Sequence, residues 1–386
     1  MTHRIKVIIG ASYGDEGKGL ATDYFGAAAV GSTIGVVMNG GPQRGHTVET
    51  PDGVRHVFHH FSSSSLNGHP TYCAPEFILN PMVCIEEYFE LSDLGYRPAL
   101  VIHPLCRFTT PFDMLINQIL LAKAGVHNSC GMGIWETIVR YESSPYALRI
   151  GAFASLSLPE RLQYLRRVMN EYMPARLKAC GITEIPDPFS DLLSDEGLLR
   201  HYAEDIESML RMSTLRIEED LLHYKNILFE NGQGLLLDGN NPETYEETTP
   251  STTGVGRIWR TIERTFTDAD VEVCYVSRSY LTRHGDGPLA GECLREDIGS
   301  DIRDITNEPN PFQGHLRYAK ITSADDLAAR ALQDFSRCKS TVNRYRKSLM
   351  ITHLKENTLD PKLFIHLFDH VYASDQRDRN GVTRLS

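Results

Sequence analysis

The stretch Gly10-Ala11-Ser12-Tyr13-Gly14-Asp15-Glu16-Gly17-Lys18-Gly19 follows the short β-branched run Lys6-Val7-Ile8-Ile9 and precedes Leu20, where a helical pattern begins. An apolar run of that kind suits a strand buried on both faces, as in a parallel sheet. Backbone N–H groups can crowd round a phosphate only where side chains are absent, and the N-terminus of a following helix adds favourable dipole charge. Lys18 can meet the same phosphates as a point charge. The ordinary phosphate loop, G-x-x-x-x-G-K-[ST], is missed twice: six residues separate Gly10 from Gly17, and Gly19 replaces the hydroxyl residue that ligates Mg²⁺. Another oxygen must then serve the metal, and Asp15 within the loop is the candidate.

Working outward, a second run at Thr33–Met38 ends in Asn39-Gly40-Gly41-Pro42-Gln43-Arg44-Gly45-His46-Thr47. With Leu20–Ala29 as crossover helix, residues 5–39 read as β-α-β. Ligands of open parallel sheets gather at the carboxyl ends of the strands, so the two loops are expected to face one another. A histidine there can donate to an oxygen gaining negative charge. Further strands are expected at Ala99–Ile102, Asn226–Phe229, Val271–Val276 and Ser348–Thr352, and helices at Phe112–Ala124, Leu158–Leu177 and Leu198–Leu222. The pattern predicts an α/β fold: a large, mostly parallel central sheet flanked by helices, with a P-loop-like nucleotide-binding loop at the first strand end. We read residues 1–386 as one large domain with a helical insertion at about 150–222 and a C-terminal segment at about 348–386. Gln376 to Ser386 reads as a surface tail or a loop ordered by ligand.

The chain has 386 residues, with 50 Asp+Glu against 39 Lys+Arg and a formal net charge of −11. That balance argues against a nucleic-acid partner, whose affinity comes mainly from Lys and Arg on phosphates. It does not exclude small anions, because a site carries its own local charge. No run approaches the ~18 apolar residues of a membrane span. Eight scattered cysteines without a C-x-x-C pair read as reduced thiols, and the absence of a signal-peptide pattern points to a cytoplasmic setting.

The two loops together resemble the adenylosuccinate synthetase family, whose signatures are a W-G-D-E-G-K-G loop and, one strand later, an A-G-H-T loop. Here they stand as Tyr13-Gly14-Asp15-Glu16-Gly17-Lys18-Gly19 and Arg44-Gly45-His46-Thr47. Further matches follow in order. Ser129-Cys130-Gly131-Met132-Gly133-Ile134 is similar to T-T-G-R-G-I, and Phe229-Glu230-Asn231-Gly232-Gln233-Gly234 to F-E-G-A-Q-G. Ser251-Thr252-Thr253-Gly254 is similar to S-N-T-T-A-G, and Thr282-Arg283-His284-Gly285-Asp286-Gly287-Pro288 to T-R-V-G-A-G-P.

The resemblance implies a cytoplasmic homodimeric ligase of purine biosynthesis that phosphorylates the 6-oxygen of inosinate from GTP and displaces that phosphate with L-aspartate. Carried over, Asp15 would take the N1 proton and help hold Mg²⁺, and His46 would stabilise the 6-oxygen. Glu16, Gly17, Lys18, Gly19, Gly45 and Thr47 would cradle the triphosphate, with the Gly45 carbonyl as a further metal ligand. Gln43, Cys130, Gln233 and Thr253 would contact the purine nucleotide monophosphate. Arg140 stands near an arginine that reaches the partner subunit's nucleotide.

Three departures qualify the likeness. The family's aspartate-binding loop is arginine-rich, whereas residues 306–318 offer Gln313, Gly314 and Arg317. The base-reading T-K-L-D segment becomes Thr352-His353-Leu354-Lys355, and an ammonium cannot accept from guanine, which points to ATP rather than GTP unless Glu356 takes the carboxylate's place. The short chain and the Cys130 and Gln313 loops are similar to those of viral relatives that act on deoxyguanylate in making 2-aminoadenine. Those often replace the loop aspartate, while Asp15 is kept, which favours inosinate. Two other classes are a nucleotide-binding regulator without ligation, opposed by the pairing of Asp15 with His46, and a nucleotide kinase, opposed by the missing phosphate-loop pattern.

Overall fold

The run expected as the first strand extends from His3 to Gly10 and lies in the middle of a ten-stranded sheet. The structure is a computed structural model that describes the chain apart from residues 1, 125–128, 186, 188, 191–195, 240–247, 250, 300–301, 303–314, 339–343 and 358. From one edge the strands run Val382–Arg384, His370–Ser374, Arg344–Thr352, Ala269–Arg278, His3–Gly10, Asn226–Gly234, Thr33–Val37, Thr71–Cys73, Leu100–Ile102 and Ser213–Leu215. Every neighbouring pair is parallel except the first, where Val382–Arg384 runs antiparallel to His370–Ser374. The α/β architecture read from the sequence is the one observed.

Strand alternation decides what each face buries. Ile5, Val7 and Ile9 pack with Trp259 and Ile262 of the helix Val255–Thr265 and with Ala331 of the helix Ala324–Phe335. Ile8 points the other way, to Ala21 and Phe25 of the helix Lys18–Ala27. A third apolar cluster joins Phe108, Phe153, Tyr202 and Met209, so the helices Ile150–Ala154 and Glu196–Arg211 share a core with the sheet's far edge. Among the described residues no helix is long and apolar enough to cross a membrane.

Several local expectations change. The helix expected over Leu198–Leu222 ends at Arg211, and Ser213–Leu215 instead pairs with the open edge of Leu100–Ile102, where a ladder of hydrogen bonds outweighs helical continuation. The helix expected over Leu158–Leu177 contains a π-helical turn at Val168–Tyr172 just ahead of Pro174, whose missing N–H breaks the regular ladder. The expected tail is the sheet's antiparallel edge, and Arg379 pins it to buried Asp23 at 3.0 and 3.1 Å.

Arg140 requires a correction. It is fully buried in the helix Ile134–Tyr141, pairs with buried Asp113 at 2.9 Å, and also donates to the Phe108 and Tyr146 carbonyls and the Tyr164 hydroxyl. A guanidinium with every edge committed inside its own subunit does not reach a nucleotide in another. Removing one member of such a pair leaves a buried uncompensated charge. Arg140→Ala is therefore expected to lower unfolding free energy by about 3–5 kcal/mol, read by urea titration. An unchanged midpoint with weakened nucleotide affinity would return Arg140 to the site.

Candidate active site

The helix Lys18–Ala27 begins at Gly17, which is left-handed at φ 92° and supplies no side-chain cap. The N–H groups of the first helical turn thus lack protein acceptors of the capping kind and suit an anion. They face a cavity of about 980 Å³ at the carboxyl ends of the central strands. Its wall includes Asp15, Gly17, Lys18 and Gly19 from the first loop and Gly45, His46 and Thr47 from the second. The two loops meet so closely that a Cβ on Gly19 would lie 2.4 Å from the Thr47 carbonyl oxygen.

Strand ends complete the wall. Arg278, at the end of Ala269–Arg278, donates through Nη2 to Asp15 Oδ2 at 2.5 Å and through Nε to the Asp15 carbonyl. Burial alone would raise the Asp15 pKa, but the Arg278 charge, with His284 and His353 behind it, holds it at about 2. Asp15 is therefore an anion at neutral pH. Lys18, nearly inaccessible, donates to the Gly14 carbonyl at 2.5 Å and lies 3.2 Å from Glu16 Oε2. Glu16 itself turns inward: its Oε1 accepts from the Ser12 and Gly14 N–H groups at 3.0 and 2.7 Å. Its side chain braces the loop from behind, which differs from the contact with phosphate expected of it.

His46 is 5% exposed, and its Nδ1 lies 2.6 Å from Glu230 Oε1. Burial, the Arg44 charge and Lys18 pull the imidazole pKa down to about 3 against the opposing pull of Glu230. Glu230 is wholly buried, yet Arg44, His46 and Ser63 hold its pKa at about 2.

Thr352, His353 and Lys355, the segment expected at the donor base, also line the cavity, as do Asp375, Gln376 and Arg377. Thr352 Oγ1 donates to the Glu16 carbonyl at 2.8 Å, tying this segment to the glycine loop. His353 adopts a left-handed φ of 60°, uncommon for a residue with a side chain. The Glu356 carboxylate accepts from the Tyr280 hydroxyl at 2.5 Å.

The residues expected at the purine nucleotide lie outside this wall. Gln233 backs onto Gly14, where a Cβ would come 3.0 Å from its Cα. Thr253 donates from its N–H and hydroxyl to Asp238, and Asn39 bridges the Gly232 and Thr252 carbonyls. Gln43 lies beside Gly40, and Cys130, a thiol whose pKa burial raises, sits in a loop anchored by Asn117. Arg317 spends its guanidinium on Glu292 and on the Gly285 and Gly287 carbonyls. Gln313 and Gly314 lie outside the described residues. Sequence reasoning missed Arg278, Tyr280 and Glu230; for Arg278 and Glu230 the available signal was a charged residue inside or at the end of a buried apolar strand, and Tyr280 carried none.

A family model described as adenylosuccinate synthetase matches residues 7–319. The chain belongs to the adenylosuccinate synthetase family. That is a family of ligases forming C–N bonds. The chain is similar to the adenylosuccinate synthetase of Methanothrix thermoacetophila, 30% identical over 320 residues covering 81% of this chain and 71% of that one. The enzyme of the same name from Crocosphaera subtropica is 30% identical over 318 residues, covering 81% and 67%. Two solved structures share the fold. One is the fully ligated adenylosuccinate synthetase of Plasmodium falciparum, with TM-score 0.69, 16% identity and 99% of each chain covered. The other is the cyanophage S-2L succinoaminodeoxyadenylate synthetase PurZ bound to dGMP and dATP, with TM-score 0.66, 14% identity and coverage of 99% and 95%.

Gly19→Ala tests whether the contact between the loops forms the triphosphate wall. The Cβ must push the Thr47 backbone away, at roughly 1–3 kcal/mol of strain. Purine triphosphate affinity is expected to fall about 5- to 100-fold by calorimetry. An unchanged Kd would contradict the placement.

Proposed function

We propose that the protein joins L-aspartate to C6 of a 6-oxopurine nucleotide, converting inosinate to adenylosuccinate with a purine nucleoside triphosphate as phosphoryl donor. The observation that carries this reading is that Asp15 and His46, from different loops, line one cavity with Lys18 and an uncapped helix N-terminus. Phosphoryl transfer needs mainly positioning and charge neutralisation, and those groups supply both. Held as an anion by Arg278, Asp15 accepts the N1 proton as the 6-oxygen bonds to the γ-phosphorus and the bond to the β-phosphate oxygen breaks. His46 donates to the 6-oxygen from its cavity-side nitrogen once that nitrogen carries a proton, and Glu230 on the other nitrogen offsets the charge the ring then bears. The aspartate amino nitrogen then attacks C6, and phosphate departs with the purine oxygen.

The donor set also fits Mg²⁺. Among the described residues no group of three His, Cys, Asp or Glu could hold a metal unaided. Mg²⁺ is commonly held by one or two carboxylates completed by substrate phosphates, and the Asp15 carboxylate and Gly45 carbonyl on one cavity wall offer that arrangement. The ion would supply charge neutralisation of the phosphates. Cytoplasmic location, a homodimer and aspartate binding near Arg317 belong to the same reading.

A second reading is favoured at the donor base. Reading guanine takes two carboxylate acceptors, for N1–H and the 2-amino group. Lys355 offers none, and Glu356 has one oxygen engaged by Tyr280. The missing acceptor at Lys355 supports ATP or dATP as the donor, with deoxyguanylate, bound with dATP in the phage protein, as the alternative substrate.

Both readings are tested in one matrix: Mg²⁺ and aspartate with inosinate or deoxyguanylate and GTP, ATP or dATP, measuring phosphate and succinylated product. Succinylated inosinate is expected, with Asp15→Ala and His46→Ala each slowing turnover about 10²–10⁴-fold. Phosphate release that needs no aspartate in any mixture would overturn the ligase reading.

A further inference from the structure

Glu230 is an acid inside an apolar strand, on Asn226–Gly234 next to the first strand. Burying a carboxylate is costly unless it is paired and hydrogen-bonded, so its neighbours indicate what it is for. Oε2 accepts from the Ser62 hydroxyl and the Ser63 N–H, both at 2.9 Å, and Oε1 accepts from the Ser63 hydroxyl at 2.5 Å. Arg44, equally buried, brings Nη2 to 3.4 Å from Oε1. Arg44 stands where the A-G-H-T signature has alanine, so this chain adds a buried cation beside the carboxylate. The contact left over is His46, whose Nδ1 lies 2.6 Å from Oε1.

An ionised carboxylate only accepts hydrogen bonds. The nitrogen facing it must therefore carry the proton, which fixes both the tautomer and the ring's orientation. Because Nδ1 is held in the core, Nε2 is the nitrogen that can reach the cavity His46 lines. We infer that Glu230, held by Ser62, Ser63 and Arg44, is the positioning residue that sets His46 with Nδ1–H inward and Nε2 facing the cavity, so that Nε2 is the nitrogen from which a ring proton is offered to the 6-oxygen. The inference rests on the ligase reading for its kinetic consequence, but not for the tautomer.

Two measurements on the full chain test it. In Glu230→Gln the side chain keeps its size and loses its charge. The expected result is a kcat about 10²–10⁴-fold lower, with nucleotide KM values within about two-fold, in line with loss of the orienting acid in other His-dependent sites. A merely structural glutamate would move KM and thermal stability and leave kcat alone, and a kcat near that of the unmutated protein overturns the inference. Should the variant not fold, ¹⁵N-histidine spectra of the unmutated protein decide, with His46 assigned from His46→Gln. A proton on Nδ1 supports the assignment whether or not Nε2 also carries one, and a bare Nδ1 overturns it. If the unmutated protein makes no succinylated product, the ligase reading fails, and the same spectra still judge Glu230.

Discussion

The site depends on how closely backbone can approach backbone around one loop. Gly19 meets the Thr47 carbonyl at a distance that leaves no room for a methyl group, and Gly14, left-handed at φ 105°, lies close on Gln233. These approaches bind the first loop to the ends of the second loop and of Asn226–Gly234. A side chain at either position would separate elements that must act together. The helix Lys18–Ala27 has Gly17 at its start and so no side-chain cap, and its first N–H groups suit a ligand.

Within that frame, charge is placed pairwise and buried. Arg278 serves Asp15, Glu16 serves Lys18, and Glu230 serves His46 and Arg44. Each partner fixes its neighbour's direction before any substrate arrives, which is how preorganised sites stabilise developing charge without reorganising. A net charge of −11 is compatible with anionic substrates for the same reason: the field that matters is set by a few desolvated groups.

Much of this was legible in the sequence. The glycine loop, the β-α-β opening and the strands at Asn226, Ala269 and Arg344 all came from short apolar runs ending in glycine or polar residues. What escaped was non-local. Thr71–Cys73 and Ser213–Leu215 are three-residue strands that exist because a neighbouring edge needs partners, and nothing in their composition announces that. Arg140 looked like a ligand-binding arginine because its neighbourhood matched a motif, while its partner Asp113 lies 27 residues away in sequence. Glu230 and Arg278 appeared as single charges in buried strands, and their targets lie 184 and 263 residues distant.

The central claim is that the purine 6-oxygen is phosphorylated and leaves with that phosphate. Inosinate labelled with ¹⁸O at C6, incubated with aspartate, Mg²⁺ and the triphosphate, followed by mass spectrometry of the inorganic phosphate, tests it directly. The account predicts one ¹⁸O in each phosphate released with succinylated product. Unlabelled phosphate, with the heavy oxygen kept on the purine or lost to water, would contradict it.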